Sequence, residues 1–127
     1  MTDQDIQDII IIGNRIEDLT AKKVNNLLEE CGKRVEDTLI VTDRVENKIR
    51  GIIITTIENI DNEDVAFIQL CVSNKKGNVN TMLDVVIDWA KNIQNVNKLY
   101  FMSKRNPKAW EKKYKFKEVY KVMKRSI

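Results

Sequence analysis

A chain of 127 residues is long enough for one domain with a single core, and 43% hydrophobic with 32% charged residues marks it as globular rather than disordered. It has no histidine, which removes Ser-His-Asp and Cys-His catalysis and any histidine-bearing metal site, and leaves acid–base work to carboxylates, tyrosine, lysine or ordered water. The net charge of +3 is unevenly spread: residues 1–90 carry −7 and residues 91–127 carry +10, so the C-terminal third could face an anion such as a phosphate, nucleic acid or an acidic protein.

The opening "MTDQDIQD" is acidic and reads as neither a secretory signal nor a transit peptide. No apolar run is long enough to cross a bilayer, so the expectation is a cytoplasmic protein that avoids membranes. In "TDQDIQDIIIIGNRI", Ile6, Ile9, Ile10 and Ile16 suit one face of a helix, whereas four successive isoleucines favour a strand. The next segment, "DLTAKKVNNLLEECG", spaces Leu19, Val24, Leu27 and Leu28 for a helix that stops at Gly32. Cys31 and Cys71 stand alone and read as free thiols, Cys71 in a core strand.

"TLIVTDR" and "KIRGIIITTI" read as strands joined by the polar turn "VENK". After the turn "NIDNED", the run "DVAFIQLCV" is apolar enough for a central strand buried on both faces. "TMLDVVIDWAKNI" is a helix with Met82, Leu83, Val86, Ile87, Ala90 and Ile93 inward and Asp84, Asp88 and Lys91 outward. "KLYFMS" is a further strand. "NPKAWEKKY" is a short helix with Asn106 as its cap and Pro107 at its first position, and "FKEVYKVMKR" is a last strand. The order is helices, a three-strand meander, helix, strand, short helix and strand, in a single domain over 1–127.

Two junctions carry chemistry. Between the central strand and the long helix lies "SNKKGNVNTML", with Gly77 among lysines and asparagines. A strand, a glycine turn and a helix N-terminus together form a corner that can wrap a phosphate in backbone N–H groups. The second junction is "NPKAWEKKYKFKEVYKV".

Layout and junctions together resemble the GNAT superfamily of acyl-CoA N-acyltransferases over residues 17 to 125. The resemblance implies an α/β (α+β) domain: a mixed central sheet with a splayed central strand, flanked by helices on both faces. It implies acetyl-CoA as donor and no metal. Against the family's Gln/Arg-x-x-Gly-x-Gly/Ala loop, Asn74 stands at the first position, Gly77 matches, and Val79 replaces the second small residue. The backbone of Lys75, Lys76, Gly77, Asn78 and Val79 would hold the pyrophosphate, with the two lysines adding charge, and the strand backbone at Leu70 and Val72 would pair with the pantetheine arm. In the second junction Asn106, Ala109 and Phe116 match in kind. The family's acid tyrosine aligns with Glu111, so Tyr114 becomes the candidate acid. The central strand offers Gln69 where many members carry a glutamate, which leaves Glu58 and Glu63 as candidate bases.

Three functions follow as expectations. One is acetyl-CoA-dependent N-acetylation of a primary amine. The alternative is a catalytically inactive GNAT-fold binding or structural protein within a larger assembly, such as a bacteriophage virion component. The third is nucleic-acid binding through the basic C-terminal third, with Tyr100, Phe101, Trp110, Tyr114 and Tyr120 stacking on bases.

Overall fold

A computed structural model of the protein describes residues 1–13, 19–74, 78–102, 107–117 and 125–126, with side chains for all of these except 107–110. The chain begins with α1 (Asp3–Ile12) and α2 (Ala21–Gly32). The isoleucine run is helical because its start is doubly capped: Thr2 Oγ1 accepts from the Asp5 N–H at 3.1 Å, and Asp5 Oδ2 accepts from the Thr2 N–H at 3.1 Å. The helix then turns Ile6 and Ile9 into the core and leaves Ile11 in solvent. Thr20 caps α2 in the same manner, accepting from the Lys23 N–H at 3.2 Å.

A 3₁₀ turn at Val35–Asp37 leads into three antiparallel strands, β1 (Thr38–Val45), β2 (Lys48–Ile60) and β3 (Glu63–Ser73). Both hairpin turns are two residues long, and Glu46–Asn47 and Asp61–Asn62 all take positive φ between 51° and 66°. Such turns match the right-handed twist of the strands they join. The helix α3 (Val79–Asp88) follows, then a π-helical turn at Trp89–Ile93, the short strand β4 (Leu99–Phe101), and α4 (Pro107–Tyr114). The sheet order is β1-β2-β3-β4, with β4 parallel to β3, so the sheet is mixed. Pro107 opens α4 as its sequence position predicts. The predicted last strand lies largely outside the described residues, as does Asn106.

Neighbouring residues of a strand face opposite ways, and β2 separates the two cores accordingly. Ile52 and Ile54 pack with Leu70 and Val72 against Ile6, Ile9, Val24 and Cys31 of α1 and α2. Ile53 packs with Ile68 against Met82, Leu83 and Val86 of α3. The sheet therefore carries helices on both faces. The expected inward stripe of α3 holds at Met82, Leu83, Val86 and Ala90, but Ile87 is 43% and Ile93 67% exposed. Val79 packs against the core in their stead, so the stripe runs 79, 82, 83, 86, 90. The π-turn inserts a residue per turn and rotates Ile93 outward.

Two bulges break the alternation. In β2, Asp43 pairs with Gly51 and Arg44 with Ile49, which leaves Arg50 as the extra residue. In β3, Ile54 pairs with Leu70 and Thr55 with Ile68, which leaves Gln69 extra. Past each bulge the faces exchange: Ile68 belongs to the α3 core and Leu70 to the α1/α2 core, while Ile49 joins the α1/α2 core although Gly51 faces α3.

Candidate functional site: an open seam beside β3

β3 is paired with β2 from Glu63 to Ser73, but with β4 only at Ala66, Phe67 and Ile68. The parallel pairing ends immediately before the Gln69 bulge. From Gln69 to Ser73 the β4 side of β3 has no strand beside it among the described residues. Backbone N–H and C=O groups on such an edge seek a partner, and an extended ligand can supply one. Leu70 and Val72 lie on this stretch with their side chains buried against α1 and α2. Only their backbone is left to face the seam. At the seam's end α1 comes close: a Cβ on Gly13 would sit 3.3 Å from Val72 Cγ1 and 2.5 Å from Leu19 Cδ2.

The strand ends at the turn before α3. Lys75, Lys76 and Gly77 lie outside the described residues, but both flanks are clear. The Asn74 N–H donates to the Arg50 carbonyl at 2.8 Å. Asn78 caps α3, its Oδ1 accepting from the Thr81 N–H at 3.0 Å. The Asn78 N–H itself donates to Asp43 Oδ2 at 3.2 Å. Asp43 also accepts from Arg50 Nη2 at 2.9 Å, and its side chain is 17% exposed. The Arg50 guanidinium, helped by the Asn78 N–H, holds the Asp43 carboxyl below the usual carboxylate range. Asp43 is thus an anion at the N-terminus of α3, where the helix dipole favours one. The Val79 side chain packs against the α3-face core.

A second polar chain crosses the α1/α2 side of β2 and β3. Gln69 Nε2 donates to Thr56 Oγ1 at 2.9 Å, and Thr56 Oγ1 donates to Glu58 Oε1 at 2.9 Å. Arg34, just past α2, donates to the same Glu58 oxygen at 2.6 Å and to the Ile57 carbonyl. The Glu58 bond holds the Arg34 guanidinium more firmly protonated than usual. The structure brings candidate base Glu58 into this network beside the bulge. It does not bring Glu63 there: Glu63 pairs with Lys98 at 2.8 Å at the start of β3, about 20 Å of strand from Gln69.

Tyr114 ends α4 and packs against the α3-face core, as do Cys71, Phe101 and Phe116. Burial pushes the Tyr114 phenol up from its ordinary value, with Cys71 adding a smaller effect in the same direction. Burial alone pushes the Cys71 thiol up to about 12, so it is an inert core thiol. Both cysteines are free. Of the aromatic residues weighed for base stacking, Phe101 and Tyr114 are core-packed, while Trp110 and Tyr120 fall outside the described side chains.

Sequence reasoning passed over Asp43, Arg50, Arg34 and Thr56. Two signals pointed to them. Gly51 inside an isoleucine-rich strand marks the first bulge, and Gln69 inside an apolar run marks the second. Among the described residues no helix is long and apolar enough to cross a membrane, and no cluster of three or more Cys, Asp or Glu could hold a metal.

No protein-family model matches the sequence, and no curated protein matches it. Solved structures do match in fold. An aminoglycoside 6′-N-acetyltransferase from Acinetobacter haemolyticus superposes with a TM-score of 0.72 at 12% identity, over 100% of this chain and 94% of that one. A glucosamine-6-phosphate N-acetyltransferase from Arabidopsis thaliana gives 0.66 at 15%, over 95% and 92%. A predicted acetyltransferase from Clostridium acetobutylicum, solved with acetyl-CoA, gives 0.68 at 16%, over 96% and 92%. The fold is that of the GNAT acetyltransferases, which agrees with the mixed sheet and open seam described above.

Proposed function

We propose that this protein binds an acyl-CoA along the open seam of β3 and transfers its acetyl group to a primary amine. The observation that carries the reading is the end of β3–β4 pairing at Ile68, which among the described residues leaves the Gln69–Ser73 backbone edge for an extended ligand. The N-acetyltransferases of the same fold support it.

The residues fit the pantetheine part of such a donor well: Leu70 and Val72 offer backbone only, since their side chains are committed to the α1/α2 core. They fit the diphosphate less fully, because the Asn74 and Asn78 N–H groups already have acceptors. Asn74, Lys75, Lys76, Gly77, Asn78 and Val79 remain the proposed contacts at that end, and Asn106 a further proposed cofactor contact. Acetyl-CoA, when bound, supplies the acetyl thioester. The chain's own groups do the rest. Tyr114, whose phenol burial keeps protonated, holds a proton at Oη for a leaving thiolate. Gln69, oriented through Thr56, presents an amide toward the acceptor side of the bulge. Glu58, beside the bulge, is the proposed base, through water, whereas Glu63 stays paired with Lys98 at the start of β3. Glu58 is already engaged by the Arg34 guanidinium at 2.6 Å.

A second reading rests on that same pair. With Glu58 held by Arg34 and glutamine at the bulge, the fold could bind its donor without catalysis and serve within an assembly. Calorimetric titration with acetyl-CoA, followed by thiol-release assays over a panel of primary amines, separates the two. Binding with turnover supports the enzyme; binding without turnover supports the second reading; no binding at millimolar acetyl-CoA removes the first.

A further inference from the structure

The most unusual feature of the seam is what already sits at its end. A diphosphate at this turn would draw on the backbone donors around residues 74–79 and the N-terminus of α3. Three of those donors, at Asn74, Asn78 and Val79, are described, and the first two are used within the chain. Asn74 N–H binds the Arg50 carbonyl, and Asn78 N–H binds a carboxylate oxygen of Asp43.

The placement of Asp43 is built, not incidental. It lies on the α3 face of β1, opposite Gly51 and in line with Ser73 across the sheet. The bulge at Arg50 keeps the arginine on that face, where Arg50 Nη2 reaches Asp43 Oδ1 at 2.9 Å. Arg50 would otherwise be a natural phosphate ligand, being a guanidinium beside a helix N-terminus. Here the carboxylate engages both the cation and the amide. A negative ligand arriving at this turn meets a fixed negative charge and must compete for the two donors that charge holds.

We propose that Asp43 is the donor-specificity residue of the seam: its carboxylate stands in for a phosphate at the α3 N-terminus and disfavours acyl donors that carry a diphosphate, relative to the same thiol arm without one. This rests on the reading of the seam as a pantetheine site. The discrimination comes from repulsion and from donors already occupied, both of which act on the diphosphate alone.

The test is calorimetric titration of the full chain with CoA and, separately, with pantetheine, which has the thiol arm but no diphosphate. Four proteins are compared: the wild type, Asp43→Asn, Asp43→Ser, and Glu29→Gln. The last removes an exposed carboxylate on α2 and controls for net charge. Both Asp43 variants keep an oxygen that can accept from the Asn78 N–H, and circular dichroism checks that each folds. The expected result is that Asp43→Asn and Asp43→Ser bind CoA about tenfold more tightly than the wild type while pantetheine is unchanged, and that Glu29→Gln changes neither. Equal tightening for both ligands, no tightening, or the same gain in Glu29→Gln overturns the proposal. If neither ligand binds the wild type or any variant, the pantetheine reading of the seam fails as well, an outcome distinct from pantetheine binding with no response to Asp43.

Discussion

β3 has two unequal sides. Toward β2 it is paired from Glu63 to Ser73 except at the bulged Gln69; toward β4, among the described residues, the pairing stops at Ile68. The same strand therefore serves as the middle of the core and, from Gln69 on, as an edge among the described residues. The change occurs at one residue. Gln69 bulges, the strand bends, and the faces exchange, so Leu70 enters the α1/α2 core while Gln69 reaches Thr56. The closed side supplies stability, and the proposed ligand would use the other.

That division is breakable by substitution, beginning where the effect is largest. Ile54 is fully buried on the closed side, opposite Leu70. Ile54→Ala should lower unfolding stability by about 3 kcal/mol in urea titrations. A loss near zero would mean that the β2–β3 side does not carry the core. On the open side the leading effect is on chemistry. Tyr114→Phe keeps the packing and removes the proton; turnover should fall roughly ten- to a hundredfold with acetyl-CoA affinity unchanged, read from steady-state rates and titration. Unchanged turnover would assign Tyr114 to packing alone.

Smaller effects sharpen the edges of the comparison. Asn78→Ala removes the cap of α3 at the seam's end and should cost about 1 kcal/mol, measured by thermal unfolding. Acid titration reports on the opposite face. The Arg44 guanidinium, with the Thr2 N–H, holds the Asp5 carboxyl well below the usual range. A carboxylate with a depressed folded pKa stabilises above its unfolded value of about 3.9, and that contribution is lost as pH falls below it. Stability should accordingly drop below about pH 4, and Asp5→Asn should flatten that acid limb. The smallest effect is expected of Glu63→Gln. Its pair with Lys98 is half-exposed and far from the bulge, so stability and turnover should both stay at wild-type values. A clear fall in turnover would bring Glu63 into the site.

Much of the scaffold could be read from local chemistry. Thr20 and Gly32 frame α2, Pro107 opens α4, and the apolar runs mark β2 and β3, because caps, proline and alternation act within a few residues. The isoleucine run of α1 was ambiguous by periodicity, and its capping residues Thr2 and Asp5 decide it. The inward stripe of α3 was displaced at Ile93 because a π-turn cannot be seen in a 3.6-residue period, and at Ile87, inside the regular helix, because that position lies at the edge of the buried stripe. The candidate site was legible only as positions on β3 and the turn after it. The partners that define those positions, Asp43 for Asn78 and Arg34 for Glu58, lie 35 and 24 residues away in sequence.

The sequence by itself determined the order of the elements from α2 to α4, since apolar runs, glycine and proline act within one or two turns. Only the tertiary structure decided which polar groups meet. Two single-residue bulges reverse the side-chain faces of β2 and β3, and strand alternation then carries every later residue to the opposite core. By that reversal Arg50 reaches Asp43, Gln69 reaches Thr56, and the end of the seam acquires its own carboxylate.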